Sequence, residues 1–307
     1  MRVAITGATG VIGAVLSRAL RDRGDQVVAL TRDRDQAASK LAADVEIHEW
    51  TDPKGSSPPP AALSGADAVI HLLGEPVAQR WTGRAKCEIR DSRVLSTRRL
   101  VAGLSELPQE RRPSSLVSQS ATGYYGARGD ESVDEREAAG DGFLAEVTRA
   151  WEHEALAAAE LAGVRVAVTR TGVVLSPRGG ALAKMLPPFR AGLGGSVAGG
   201  RQYVPWIHVL DVARALLRCV DDARISGPVN VTAPNPVPNA ELSRTLGRVL
   251  GRPAVMPVPA AAPRLLYGEM ASIVITGQRV VPARLLQLGH EFTFPMLEPA
   301  LRDVLRR

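Results

Sequence analysis

The chain has 307 residues, 45% of them apolar, with 38 cationic and 32 anionic side chains and a net charge of +6. That length and apolar content exclude a largely disordered protein, and no run approaches the ~18 consecutive apolar residues of a membrane span. The positive balance does not read as a nucleic-acid surface: only four cations are lysines (Lys40, Lys54, Lys86, Lys184), the arginines alternate with acids as in Arg32-Asp33-Arg34-Asp35, and four each of Trp, Tyr and Phe are too dispersed for a stacking platform.

The apolar N-terminus is broken by Thr6, Gly7, Thr9, Gly10 and Gly13, which suits a turn into a helix better than a secretion signal, so a cytoplasmic protein is expected. Short β-branched runs then alternate with longer helical patterns, the arrangement of a parallel sheet built from βαβ units. Strands are predicted over residues 2–6, 26–30, 45–50, 68–73, 115–118 and 164–170, with helices over 13–23 and 143–161, each stopped by a glycine (Gly24, Gly163). The run 52–60, with three consecutive prolines, reads as a loop. Beyond Thr171 glycine and proline punctuation predicts a loop-rich lobe rather than another βα repeat, followed by a strand at 228–232 and a helix over 241–250. A proline-rich connector leads to a small helical lobe, residues 264–307, with Pro282 opening a helix and Gly289 stopping it. The expected division is a first domain, 1–235, with a loop-rich insertion at 173–204, and a second, 236–307. Cys87 and Cys219 have no metal-ligand neighbours and are expected to be buried free thiols.

The sharpest motif is Thr6-Gly7-Ala8-Thr9-Gly10-Val11-Ile12-Gly13, a GxxGxxG between a strand and a helix. Gly7 permits the tight turn, Gly10 lets backbone approach a pyrophosphate, Gly13 lets the helix pack on the strand, and the helix N-terminus favours the anion. This is the frame of a dinucleotide site. The second strand runs into Thr31-Arg32, nineteen residues after Gly13, where an acid would select NAD and a cation the 2′-phosphate of NADP; Arg32 predicts NADP(H), unless the adjacent Asp33 holds the ribose instead. Leu72 and Gly74, after the fourth strand, complete the expected cofactor contacts.

With these residues in view the sequence resembles the extended short-chain dehydrogenases/reductases, and within them an atypical branch of NAD(P)-dependent epimerase family proteins, some labelled cell-division inhibitor homologues. Matching segments include TGATGVIG (6–13), RWTGRAKCEIRDSRVLSTRRL (80–100), SQSATGYYGARGD (118–130) and WIHVLD (206–211). The resemblance implies a Rossmann-like, doubly wound α/β core, bound NADP(H) and a small, mostly helical C-terminal domain of undefined role. Oxidoreductases of that superfamily use a Tyr-x-x-x-Lys pair, the lysine lowering the tyrosine pKa. No such pair exists here: Arg128, Gly129, Ile207 and Ala271 follow the four tyrosines at that spacing, and the matching positions are Leu144 and Thr148. By the same match Ser120 binds the substrate oxygen, and Tyr124 or Tyr125 supplies a phenol from the same loop. Without an activating cation a phenol titrates near ~10, which favours proton donation, hence reduction, at neutral pH.

Substrate contacts are expected beyond the carboxyl ends of the strands, from Glu75, an anion-binding Arg201 and an aromatic wall at Trp206. His71, in an apolar run, reads as a satisfied core histidine, and His208 as the start of a helix. The five histidines lack metal-ligand spacing, and no Gly-x-Ser-x-Gly motif points to a hydrolase. The expectation is an NADP(H)-dependent reductase or epimerase-like enzyme of a small carbonyl or sugar-like metabolite, as monomer or homodimer. The alternative is a non-catalytic NADP(H)-responsive regulator.

Overall fold

A computed structural model describes residues 1–306. Seven parallel strands form one sheet: β1 (Arg2–Thr6), β2 (Gln26–Thr31), β3 (Glu46–Glu49), β4 (Ala68–His71), β5 (Ser115–Ala121), β6 (Arg165–Thr171) and β7 (Gly227–Val231). Their spatial order is β7-β6-β5-β4-β1-β2-β3, so the chain runs outward in one direction from β1 to β3 and in the other from β4 to β7. The longer helices are α1 (Val11–Asp22), α2 (Gly83–Glu106), α3 (Phe143–Ala162), α4 (Gly180–Arg190), α5 (Val209–Asp221), α6 (Asn239–Leu250) and α7 (Leu297–Arg306).

Strand periodicity explains the two layers. In β1, Val3 and Ile5 point into a core shared with Leu16 and Leu20 of α1 and with Val212 and Leu216 of α5. Ala4, between them, joins the opposite core with Leu100 and Leu104 of α2 and Ala155 and Ala158 of α3. Because both faces are covered, the central strands carry continuous apolar runs instead of alternating ones. This is the doubly wound parallel α/β architecture expected from the sequence.

All seven strands lie where predicted, with ends shifted by at most three residues. The largest shift matters for function. Strand β5 continues through Gln119, Ser120 and Ala121, which pair with Thr169, Arg170 and Thr171 of β6. Ser120 is therefore held by a sheet ladder, not by the loop after it.

The segment after Thr171 departs from expectation. It contains α4 and also α5, which covers the sheet and crosses to β7, a further helix–strand unit. The missed signal is the spacing of Val209, Val212, Ala213, Leu216, Cys219 and Val220, which recur at helical period and are all buried. The neighbouring glycines and prolines obscured it. His208 caps α5 as expected, its Nδ1 accepting from the Leu210 N–H at 3.1 Å.

A third core joins the two ends of this half of the chain. Leu182 and Leu186 of α4 and Trp206 pack with Leu242 and Leu246 of α6 and with Leu297, Leu301 and Val304 of α7. The buried Asp211 fastens the tail to α5 by accepting the N–H groups of Thr293 at 2.7 Å and Phe294 at 2.9 Å. Cysteine burial is half as expected: Cys219 is in the core, where burial pushes its thiol up to about 12, but Cys87 is exposed on α2.

The tightest constraint is at Gly13, where a Cβ would lie 2.2 Å from the Gly7 carbonyl oxygen and 2.7 Å from Ala8 Cα. Gly13→Ala is expected to cost about 1–3 kcal/mol in a denaturant titration, since backbone has to move. Gly83→Ala, with open space around it, is the control and is expected to change stability by less than about 1 kcal/mol.

Candidate functional site

Strands β1 and β4 are neighbours whose chain connections leave in opposite directions, which opens a crevice at their carboxyl ends. Thr6 and His71 close its floor. The Thr6 hydroxyl donates to His71 Nδ1 at 2.8 Å and accepts the Leu72 N–H at 3.0 Å. On the other side His71 Nε2 lies 3.0 Å from Thr97 Oγ1, whose own proton goes to the Arg93 carbonyl. This places the ring proton on Nε2 and makes His71 a fully buried, satisfied core histidine, with burial pulling its pKa down to about 3.

Above this floor lies a cavity of about 530 Å³ whose walls include Gly7, Thr9, Gly10, Thr31, Arg32, Leu72 and Gly74. Gly7 has φ +73° and a Cβ there would press on the Leu72 backbone, so this turn and the end of β4 approach closely. Gly10 begins α1 with no side-chain cap, and no acid lies in its first turn; Val11, Ile12 and Gly13 thus present the polar N–H end of a twelve-residue helix. At the far end Arg32 is exposed and pairs with nothing among the described residues. Asp33 is engaged: its Oδ1 accepts the Gln36 N–H at 2.8 Å, capping the helix Arg34–Ala38.

A second cavity of about 190 Å³ adjoins the first, the two sharing Leu72, Leu73 and Gly74. Ser120, Leu144, Thr148, Arg93 and Trp151 line it. Leu144 and Thr148 thus flank Ser120 on one wall. Ser120 donates its hydroxyl to Glu152 Oε1 at 2.6 Å, and Thr148 donates back to the Leu144 carbonyl at 2.8 Å, so both oxygens offer only lone pairs to a ligand.

Behind Ser120 runs a buried polar chain. Glu152 of α3 receives Arg170 of β6 in a two-pronged ion pair, Nε to Oε1 at 2.9 Å and Nη2 to Oε2 at 2.9 Å. Burial works against the Arg170 charge, but the Glu152 hydrogen bonds and charge outweigh it and hold the guanidinium protonated. Arg170 Nη1 also donates to the Tyr125 hydroxyl at 3.0 Å, and Tyr125 donates to Asn230 Oδ1 at 2.6 Å. The Tyr124 ring stacks under the same guanidinium, 3.4 Å from its centroid to Cζ.

Several sequence candidates take other places. Tyr125 is fully buried, its proton is committed to Asn230, and burial pushes it up to about 12, so this phenol has no path to a ligand in either cavity. Tyr124 lines neither cavity and serves as the platform for Arg170. Trp206 is fully buried in the third core, its Nε1 donating to the Asn235 carbonyl at 3.0 Å, because β-branched and aromatic bulk there fills the lobe instead of walling a cleft. Arg201 is exposed and borders neither cavity. Glu75 lies just past their shared wall, tied to α2 through its N–H and Ser92 Oγ at 2.9 Å. The residues that sequence reasoning missed are Glu152, Asn230 and Arg93. An acid on the otherwise apolar face of α3, four residues after Thr148, was the available signal for Glu152. Arg93 lay hidden in an arginine-rich run.

The fold and the glycine turn define a dinucleotide-binding protein of the extended dehydrogenase type. Residues 3–232 match the NAD dependent epimerase/dehydratase family, to which this chain belongs, and residues 258–304 match a domain of unknown function, DUF1731. The epimerase family protein Mb2239 of Mycobacterium bovis is 41% identical over 97% of this chain and 96% of its own. The chloroplastic SDR39U1 homolog of Arabidopsis thaliana is 39% identical over 100% of this chain and 87% of its own. The crystal structure of human epimerase family protein SDR39U1 (isoform 2) with NADPH superposes with a TM-score of 0.87 at 33% identity, covering both chains fully. Among the described residues no helix is long and apolar enough to cross a membrane.

Two outcomes follow from the buried polar groups. Glu152→Leu leaves Arg170 uncompensated and is expected to cost about 3–5 kcal/mol by urea denaturation, while Glu152→Leu combined with Arg170→Leu is more stable than the single variant. His71, with its pKa lowered in the fold, takes up a proton in the unfolded chain below pH ~6.5 but in the fold only near pH 3. Its contribution is complete above pH ~6.5 and is lost as pH falls toward 3, at up to about 1.4 kcal/mol per pH unit. His71→Gln is expected to flatten the fall of stability between pH ~5.5 and ~4 by that slope, measured by denaturation at each pH.

Proposed function

We propose that this protein is an NADP(H)-dependent oxidoreductase or epimerase-like enzyme acting on a small carbonyl or sugar-like metabolite. The observation that carries the reading is the groove that starts at the uncapped N-terminus of α1 and ends at Arg32, a cation with no partner among the described residues, beside an Asp33 already spent on a helix cap. The pyrophosphate fits the Gly7–Gly10 turn and the 2′-phosphate fits Arg32, and the NADPH held by the human relative agrees with this assignment. Leu72 and Gly74 carry the cofactor toward the smaller cavity, where Ser120 meets the substrate oxygen.

When bound, the cofactor supplies hydride exchange with substrate carbon. The chain's own residues position the partner. Arg170 fixes Glu152, Glu152 accepts the Ser120 O–H hydrogen bond, and the Ser120 Oγ lone pairs are left to accept a hydrogen bond from a substrate hydroxyl. By the family match Leu144 and Thr148 take the positions of a Tyr-x-x-x-Lys pair, so in this reading Ser120 orients the substrate hydroxyl and the proton that accompanies hydride exchange passes to or from solvent.

Calorimetry with stripped protein is expected to give tighter binding of NADPH than NADH, with Arg32→Asp lowering that ratio about ten- to a hundredfold, the worth of a charge-assisted phosphate contact. An unchanged ratio would reject the assignment. On a panel of hydroxyl-bearing aldehydes, ketones and sugars, NADPH oxidation is expected for at least one compound and its loss in Ser120→Ala; tight NADPH binding with no turnover across such a panel would favour the regulator.

A further inference from the structure

Arg93 is an unusual cation. It projects from α2 into the lining of the smaller cavity, where a Cβ on Gly74 would sit 2.8 Å from its Cζ. Its Nη1 donates to the Ile89 carbonyl at 2.9 Å and its Cζ lies 5.3 Å from the centroid of the Trp151 ring. Among the described residues no carboxylate lies within ion-pair distance, Glu75 acts only through space, and burial draws the guanidinium down to about 10. Trp151, 4% exposed and on the same wall, has an indole N–H with no hydrogen-bond partner. A buried donor without an acceptor, as at the Trp151 indole, costs folding free energy unless a ligand supplies the acceptor.

Acceptors line the same cavity. Ser120 and Thr148 line the same space and both donate their protons elsewhere, so they accept only. The remaining wall, with Leu72, Val77, Ile89 and Leu144, is apolar. A ligand complementary to this cavity carries an anionic oxygen, a hydroxyl and a short hydrocarbon. The volume of about 190 Å³ admits a molecule somewhat larger than benzene, which fills ~150 Å³ cavities.

We infer that the cavity beside Ser120 binds a small hydroxycarboxylic acid, with Arg93 and the Trp151 N–H on the carboxylate and Ser120 on the hydroxyl. This deepens the function proposed above by naming its substrate class, and rests on that reading for the reaction but not for the binding. A cofactor phosphate is the same oxyanion chemistry from another source, since Gly74 borders both cavities.

The test uses mandelate and lactate against their neutral amides, mandelamide and lactamide, by calorimetry with and without saturating NADPH, after NADPH affinity is measured separately. The intact protein is expected to bind at least one acid about tenfold or more tighter than its amide, the worth of a charge-assisted contact. Arg93→Met is expected to bring that ratio close to one while NADPH affinity changes less than about threefold, and Arg93→Lys to restore part of the ratio. Equal binding of acid and amide, or no binding of either acid, by the intact protein overturns the inference whether or not any variant folds. So does an Arg93→Met protein that keeps the acid preference, or one that loses about tenfold or more in NADPH affinity with the acid preference intact, which assigns the cation to the cofactor. Absence of NADPH binding by the intact protein sinks the proposed function instead, and the acid-to-amide ratio without cofactor still reads the cavity.

Discussion

The ion pair between Glu152 and Arg170 is the constraint on which the site depends. It joins α3 to β6, and through Ser120 it reaches β5 and through Tyr125 it reaches Asn230 on β7. From there Asn230 donates to the Val281 carbonyl at 3.0 Å, and its N–H shares Glu135 Oε1 with the N–H of Arg284, so the tail is bound to the same chain. Two charges removed from water repay their desolvation only when the geometry is good and the remaining lone pairs are satisfied. Here the pairing is two-pronged, both carboxylate oxygens are engaged and a phenol and an aromatic face take up the rest of the guanidinium. The consequence is a Ser120 hydroxyl whose direction is decided by its surroundings before any ligand arrives.

The same constraint explains why the polar end of β5 stays in the sheet. Gln119 to Ala121 would fray as a free strand end, but pairing with β6 brings Ser120 alongside Arg170, and the ion pair then locks the register. A side chain on a paired strand is placed more precisely than one on a loop. The larger cavity obeys a different rule. It is made by backbone: the close approach of Gly7 to Leu72, the bare N-terminus of α1 and the divergence of β1 and β4. Charge enters it through Arg32 and Asp33, and Asp33 is engaged in capping a helix.

The lobe built from the third core has no share in lining either cavity, yet the tail is tied to the rest of the fold at three points. Asp211 holds the backbone of Thr293 and Phe294, His208 stacks on Phe294 with ring centroids 4.0 Å apart, and Val280 pairs with Val133 next to the buried Tyr125. The insertion and the C-terminal segment share one apolar core. Leu182, Leu186 and Phe189 on α4 need α6 and α7 against them.

What the sequence determined by itself is the part of the molecule governed by local rules. Strand and helix periods and the glycines at 7, 10 and 13 act over a few residues, so the seven strands, the doubly wound class and the dinucleotide turn were legible, as was the satisfied state of His71. What only the tertiary structure decided depends on partners far along the chain. Glu152 and Arg170 are eighteen residues apart and Tyr125 and Asn230 one hundred and five, and whether a tyrosine in the loop faces a ligand or the core is settled by which of these it meets. Trp206 followed the third core inward, and among the described residues no carboxylate comes within ion-pair distance of Arg93. Local propensity is a sum over neighbours in sequence; burial and charge pairing are sums over neighbours in space, and only folding makes the second list.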